Sequence, residues 1–155
     1  MLEFAHAITG ATIVATIPNP VISLPLCLAS NFLIDYLPHW NFHIYTEKEK
    51  NGNLSKRTIA YLFVDSLIGL VFSLLIAASF LPDTQKAALV ILGTFLAVIG
   101  DLSEAPFYLF NWQNKQIAKL IRFQRAHQWN VSFWPGIIFQ VLYTTFLLGL
   151  AFKIW

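Results

Sequence analysis

Long apolar runs separated by two polar segments dominate the chain. Residues 58–81 are interrupted by Asp65 and a few serines, 87–110 by Thr94, Asp101, Ser103 and Glu104, and 131–152 by Gln140 and two threonines. A hydrocarbon core about 30 Å thick needs roughly 20 residues of helix to cross it. The pattern therefore predicts transmembrane helices over 57–81, 86–110 and 131–153. The first 40 residues hold two shorter runs, expected as helices over 3–17 and 21–38, with Pro18-Asn19-Pro20 between them. Proline lacks an amide donor and restricts the residue before it, so the break is a tight turn. A helical hairpin with both arms crossing is expected, giving about five crossings. A re-entrant pair that does not fully cross is the alternative.

The polar segments differ in kind. Residues 41–57 carry Glu47-Lys48-Glu49-Lys50, Asn51-Gly52-Asn53 and Lys56-Arg57, and read as a solvated loop. In 115–128, Ile117, Leu120, Ile121 and Gln124 share one helical face, and Lys115, Lys119 and Arg122 the opposite one, with Arg125 at its edge. That is a basic amphipathic helix suited to an interface with anionic headgroups. The fold class expected is all-α, a polytopic transmembrane helical bundle with one interfacial helix, forming a single integral membrane domain over 1–155.

Composition agrees with the pattern. Only 12% of residues are charged, against about 25% in a typical soluble domain. The single cysteine, Cys27, cannot form an internal disulfide and reads as a small core residue. Met1 to Ala5 carry Glu3 as their one charge, so the first run lacks the basic start of a secretory signal and is expected to be retained. Eight of the ten Lys and Arg residues fall in the two polar segments: Lys48, Lys50, Lys56, Arg57, Lys115, Lys119, Arg122 and Arg125. The positive-inside rule then puts these segments and the N-terminus in the cytoplasm. Trp40, Trp112, Trp129 and Trp134 would mark that interface and Trp155 the opposite one.

Ionisable groups within apolar helices are costly and point to a site. The candidates are His6 in the first run, Asp35 and His39 ending the second, Asp65 in the third, Asp101 and Glu104 in the fourth, and His127 before the last. The charge-based orientation places all of them in the cytoplasmic half. Histidines and carboxylates at one depth suit a divalent metal, with zinc first and manganese or iron also compatible. His6, Asp35, His39, Asp101 and His127 are the expected ligands. Asp35 and His39 are spaced i, i+4, and Asp101 and Glu104 i, i+3, so each pair can share a helical face. Glu104 or Asp65 is the expected proton acceptor. Plainer readings stand beside these: His6 as a packing residue, Asp35 with His39 as an interfacial cap, and Asp65 paired with Lys56 or Arg57. His43 is expected to be solvated. No Gly-rich phosphate loop, cysteine pair or nucleophile elbow is present, and the basic helix beside a bilayer points to lipid rather than nucleic acid.

His6 in Phe4-Ala5-His6-Ala7, followed by Asp35-Tyr36-Leu37-Pro38-His39, resembles the LexA-regulated inner-membrane protein family, small bacterial proteins identified as metal-dependent hydrolases. The likeness covers roughly the first 45 residues, and the remainder only in hydropathy. It implies that His6, Asp35 and His39 bind metal and that the chain resides in a bacterial cytoplasmic (inner) membrane. After His39 the chain continues Trp40-Asn41, where that pattern commonly has a further Asp or His. The expected function is hydrolysis of a phosphate-bearing membrane lipid at the cytoplasmic face. Metal or ion transport is the first alternative; Gln140 and Thr144-Thr145, placed in the outer half, would offer it little. A non-catalytic membrane scaffold is the second.

Overall fold

The computed structural model describes residues 1–154; Trp155, expected at the far interface, lies outside the described residues. The described chain is helical, with α1 (Glu3–Thr16), α2 (Pro20–Leu33), α3 (Ile44–Asn51), α4 (Lys56–Ala78), α5 (Thr84–Leu102), α6 (Ala105–Phe110), α7 (Lys115–His127) and α8 (Phe133–Ala151). A 3-10 turn, Ile34–Tyr36, extends α2. Three helices are long and apolar enough to cross a membrane: α4, α5 and α8. They show the inverse of a soluble surface, with Phe63, Leu70, Leu75, Leu142 and Phe146 all at least half exposed.

α1 and α2 are shorter than the sequence suggested. Each has 14 residues, about 21 Å at 1.5 Å per residue. Their lengths fall short of the hydrocarbon thickness. α1 is the centre of the bundle and packs against α2, α4, α5 and α8. It is buried nearly all round, from Ala5 to Thr12 and again at Val14. A helix apolar on every face is one that is enclosed.

The backbone amides of Glu3 and Phe4 donate to the Asp65 carboxylate at 2.8 and 3.0 Å. α1 therefore starts level with a residue nine positions into α4, about 14 Å along that helix. The remaining length of α4 matches α1, and the two end together at the far side. There Lys86 reaches from α5 to the Val14 carbonyl, close to the C-terminus of α1. That favours the negative end of the helix dipole. The far half of the bundle is an apolar core of Ala11, Val14, Cys27, Ile76, Val90 and Ala97. At the other end the start of α1 is recessed, and α3, α6, α7 and the loops cover it.

Three local differences from the sequence reading matter. The loop expected over 41–57 contains α3, whose Lys48 is buried and donates to the Tyr108 carbonyl at 3.1 Å. The helix expected over 86–110 breaks at Ser103-Glu104 into α5 and α6; Pro106, with no amide to donate, stands in the first turn after the break. Gln140 does not belong to the outer half. It is fully buried at the recessed end, where it accepts from Leu2 N at 2.8 Å and donates to the Trp40 carbonyl at 3.0 Å.

Candidate functional site

The recess gathers four of the expected residues. His6 lies in the first turns of α1, Asp35 in the 3-10 turn, His39 in the following loop, and Asp101 near the end of α5. His6 Nε2 is 3.5 Å from Asp35 Oδ1 and 3.6 Å from Asp101 Oδ2. His39 Nε2 is 3.7 Å from the same Asp35 Oδ1. The side chains of His6, His39 and Asp35 are essentially buried, whereas that of Asp101 is 26% exposed. The set thus has one open side.

The loop that carries His39 is stitched to the α7–α8 connection. His39 N donates to the Trp129 carbonyl at 3.1 Å, Val131 N to the His39 carbonyl at 2.9 Å, and Trp129 N to the Asp35 carbonyl at 2.9 Å. Gly136 at the start of α8 lets this loop approach. A β-carbon there would meet the His39 carbonyl carbon at 2.8 Å and the Trp40 backbone even more closely.

The His39 imidazole is poised as an acceptor. His39 Nδ1 lies 2.8 Å from the Leu37 carbonyl. That contact requires hydrogen on Nδ1 and leaves the lone pair on Nε2, facing Asp35. Burial, with the nearby α-amino group, pushes the His39 imidazole down to about 4, so the ring is neutral at pH 7. Its Nε2, and both ring nitrogens of His6, are buried without a hydrogen-bond partner. Buried polar atoms normally have partners, so three orphans at one place mark a site.

Asp101 is held by two amides the sequence reading did not single out. Asn31 Nδ2 donates to Asp101 Oδ2 at 3.0 Å and to the Ala97 carbonyl at 2.7 Å. Gln124 Nε2 is 3.3 Å from both Asp101 Oδ1 and Asn31 Oδ1. Gly100 makes room for this arrangement, because a β-carbon there would overlap the Asn31 amide. Gln128 Nε2 reaches Asp35 Oδ2 at 3.4 Å. Gln124 on the buried face of α7 and the half-buried Gln128 just past its end therefore supply donors to the two carboxylates.

The remaining candidates lie outside this set. Asp65 is committed to the α1 amides rather than to Lys56 or Arg57; Arg57 instead donates to the Tyr61 hydroxyl at 2.6 Å. His127 has Nδ1 2.7 Å from the Phe123 carbonyl and packs edge-on to Tyr36. Glu104 is buried in the turn after α5, and its Oε1 has no partner. Burial, followed by the Asp101 and Asp35 charges, pushes its carboxyl up to about 8. His43 is exposed, as expected.

Three donor–donor distances within the set can be compared with those of a ligand shell. Tetrahedral ligands at about 2.0–2.1 Å from zinc stand about 3.3 Å from one another. The three measured edges exceed that by a few tenths of an ångström, and no three His, Cys, Asp or Glu side chains among the described residues stand in closed ligand geometry. The cation that Asp35 holds here is the α-amino group of Met1. The donor chemistry, two imidazoles and two carboxylates with orphaned Nε2 atoms facing carboxylate oxygens, fits a divalent metal.

A cavity of about 520 Å³ lies on the open side of Asp101, between α4 and the α5–α6 turn, under α3 and α7. Asp65, Asp101 and Glu104 line its inner part. No family model, curated protein or solved structure matches this chain.

Proposed function

We propose that this is a membrane-embedded, metal-dependent hydrolase acting on a phosphoester of a membrane lipid. The observation that carries the reading is the convergence of His6 on α1, Asp35 and His39 after α2, and Asp101 on α5, with the unpartnered His6 Nε2 between the two carboxylates and the unpartnered His39 Nε2 facing Asp35. A divalent ion held there, zinc first, supplies Lewis acidity and lowers the pKa of water towards neutrality. The chain supplies the rest. The Leu37 carbonyl fixes the His39 tautomer, Asn31 and Gln124 orient Asp101, and the buried bundle excludes bulk water. Glu104, with its carboxyl near neutrality and facing the cavity, is the candidate proton carrier. Asp65 serves the site by anchoring the start of α1, and His127 by packing beside it.

In this reading the chain crosses a bacterial cytoplasmic membrane about five times, with the N-terminus and site at the cytoplasmic face. The family resemblance of the His6 and Asp35–His39 segments supports it. The far half weighs against the ion-transport alternative, because its buried polar side chains are serines and threonines, and the buried carboxylates and histidines among the described residues lie at the site end.

One observation favours a second reading, a non-catalytic scaffold. Asp35 already meets the Met1 amine and Gln128, so its charge is compensated without metal. Elemental analysis of detergent-purified protein separates the two. The hydrolase reading expects one or two equivalents of metal, falling below a tenth in His39→Ala and Asp35→Asn. Metal-free protein with unchanged thermal stability in chelator would support the scaffold.

A further inference from the structure

The cavity beside Asp101 is two-faced. Its outer wall is apolar, built by Ile59 and Phe63 on α4 and by Leu102 and Leu109 on the other side. These four are 43%, 68%, 52% and 47% exposed, and α4 is one of the three helices long enough to cross a membrane. An apolar opening on the flank of a membrane helix faces hydrocarbon rather than water. The inner wall is polar, with Asp101, Glu104 and Gln124, and the exposed Arg125 lines the cavity nearer its surface.

Arg125 is the informative residue. Its guanidinium stacks on the Tyr45 ring, 3.6 Å from the centroid. Stacking engages the face of the guanidinium and leaves its in-plane N–H donors free to form a fork. Among the described residues no carboxylate pairs with it. Of the four acids that line the cavity, Asp65 accepts the α1 amides and Asp101 accepts Asn31 and Gln124, and neither Glu3 nor Glu104 forms an ion pair with Arg125. A preorganised, unpaired guanidinium between an apolar portal and a polar recess suits a phosphate attached to an acyl chain.

We propose that this cavity is a lipid site, in which an acyl chain enters from the bilayer between Phe63 and Leu109 and Arg125 holds the headgroup phosphate. This gives the hydrolase reading a substrate class, an anionic glycerophospholipid, and a direction of approach. The placement of the phosphoester towards Asp101 rests on that reading; the binding itself does not. Ser66, exposed on α4 and lining the same cavity, gives a way to fill it without touching the core.

Retention of phosphatidic acid and of diacylglycerol by the full chain in detergent, followed by native mass spectrometry in chelator, tests the site. Wild type is expected to prefer phosphatidic acid. Arg125→Gln should weaken phosphatidic acid about tenfold, the scale of a charge-assisted bidentate contact, and leave diacylglycerol unchanged. Ser66→Trp should weaken both lipids, and glycerol 3-phosphate should not compete. Variants are compared at matched melting temperature. Equal phosphatidic acid retention in wild type and Arg125→Gln, no effect of Ser66→Trp, or full competition by glycerol 3-phosphate would overturn the proposal. Metal content, measured on the same samples, reports on the hydrolase reading separately.

Discussion

Individual residues here are set by what they meet across the bundle. Asn31 illustrates it. In the sequence it is one polar residue in an apolar run, with nothing to separate it from a packing asparagine. In the fold its side-chain amide donates to Asp101 and to the Ala97 carbonyl, and Gln124 approaches its oxygen. Partners of this kind tune ligands nearly as strongly as ligand identity does. Asn31→Ala should therefore weaken metal affinity about 10- to 100-fold in chelator competition. It should also lower the stability of the metal-free protein by about 1–3 kcal/mol, because Asp101 loses a donor. Unchanged affinity would remove Asn31 from the site. The histidines and aspartates were legible beforehand because charge in an apolar run is conspicuous. Their amide partners were not, since Asn and Gln cost less to bury and carry no charge pattern. Asp65 was conspicuous for the same reason as the proposed ligands, yet the fold uses it to satisfy the first amides of α1.

At the scale of elements, the hydropathy pattern found the long helices, the two shorter apolar ones and the amphipathic α7, and missed the brief α3 and α6. The polar segment 41–57 has no apolar periodicity of its own over 44–51, and α3 forms there because tertiary contacts support it. Lys48 reaches Tyr108 and Asn111, and Glu47 reaches forward to the next helix. Glu47 accepts the Ser55 amide at 2.8 Å and the Thr58 hydroxyl at 2.6 Å, joining α3 to the N-terminus of α4. The hydrogen bonds from Thr58 and Ser55 hold its carboxyl below the usual value of 4.5. A carboxylate whose pKa is depressed on folding contributes stability that is complete above its unfolded pKa and is lost as pH falls through the lower, folded value. Protection of the Ser55 amide against hydrogen exchange should thus fall in that acidic window, after correction for intrinsic rates. In Glu47→Gln that pH step should vanish. Protection that is flat through the window in wild type would show that Glu47 does not couple the two helices.

For the whole molecule, the arrangement is a long-helix frame holding a short, buried core helix off-centre. α1 ends with α4 at one side but begins about 14 Å short of it at the other. That mismatch creates the recess, and the polar connections roof it. Five helices alternate in direction, with the turns at 17–19 and 79–83 at the plain end and both polar connections at the site end. By the positive-inside rule, Lys and Arg alone would put the site end in the cytoplasm. The proposed topology is therefore testable without reference to catalysis. In a Cys27→Ser background, Glu49→Cys and Lys115→Cys should react with an impermeant maleimide only from the cytoplasmic side. Gln85→Cys, exposed at the plain end, should react only from outside. Labelling of all three from one side would mean that α4 and α5 do not cross as a pair. The lipid cavity would then open to water, and the anionic headgroup would lose its route to Arg125.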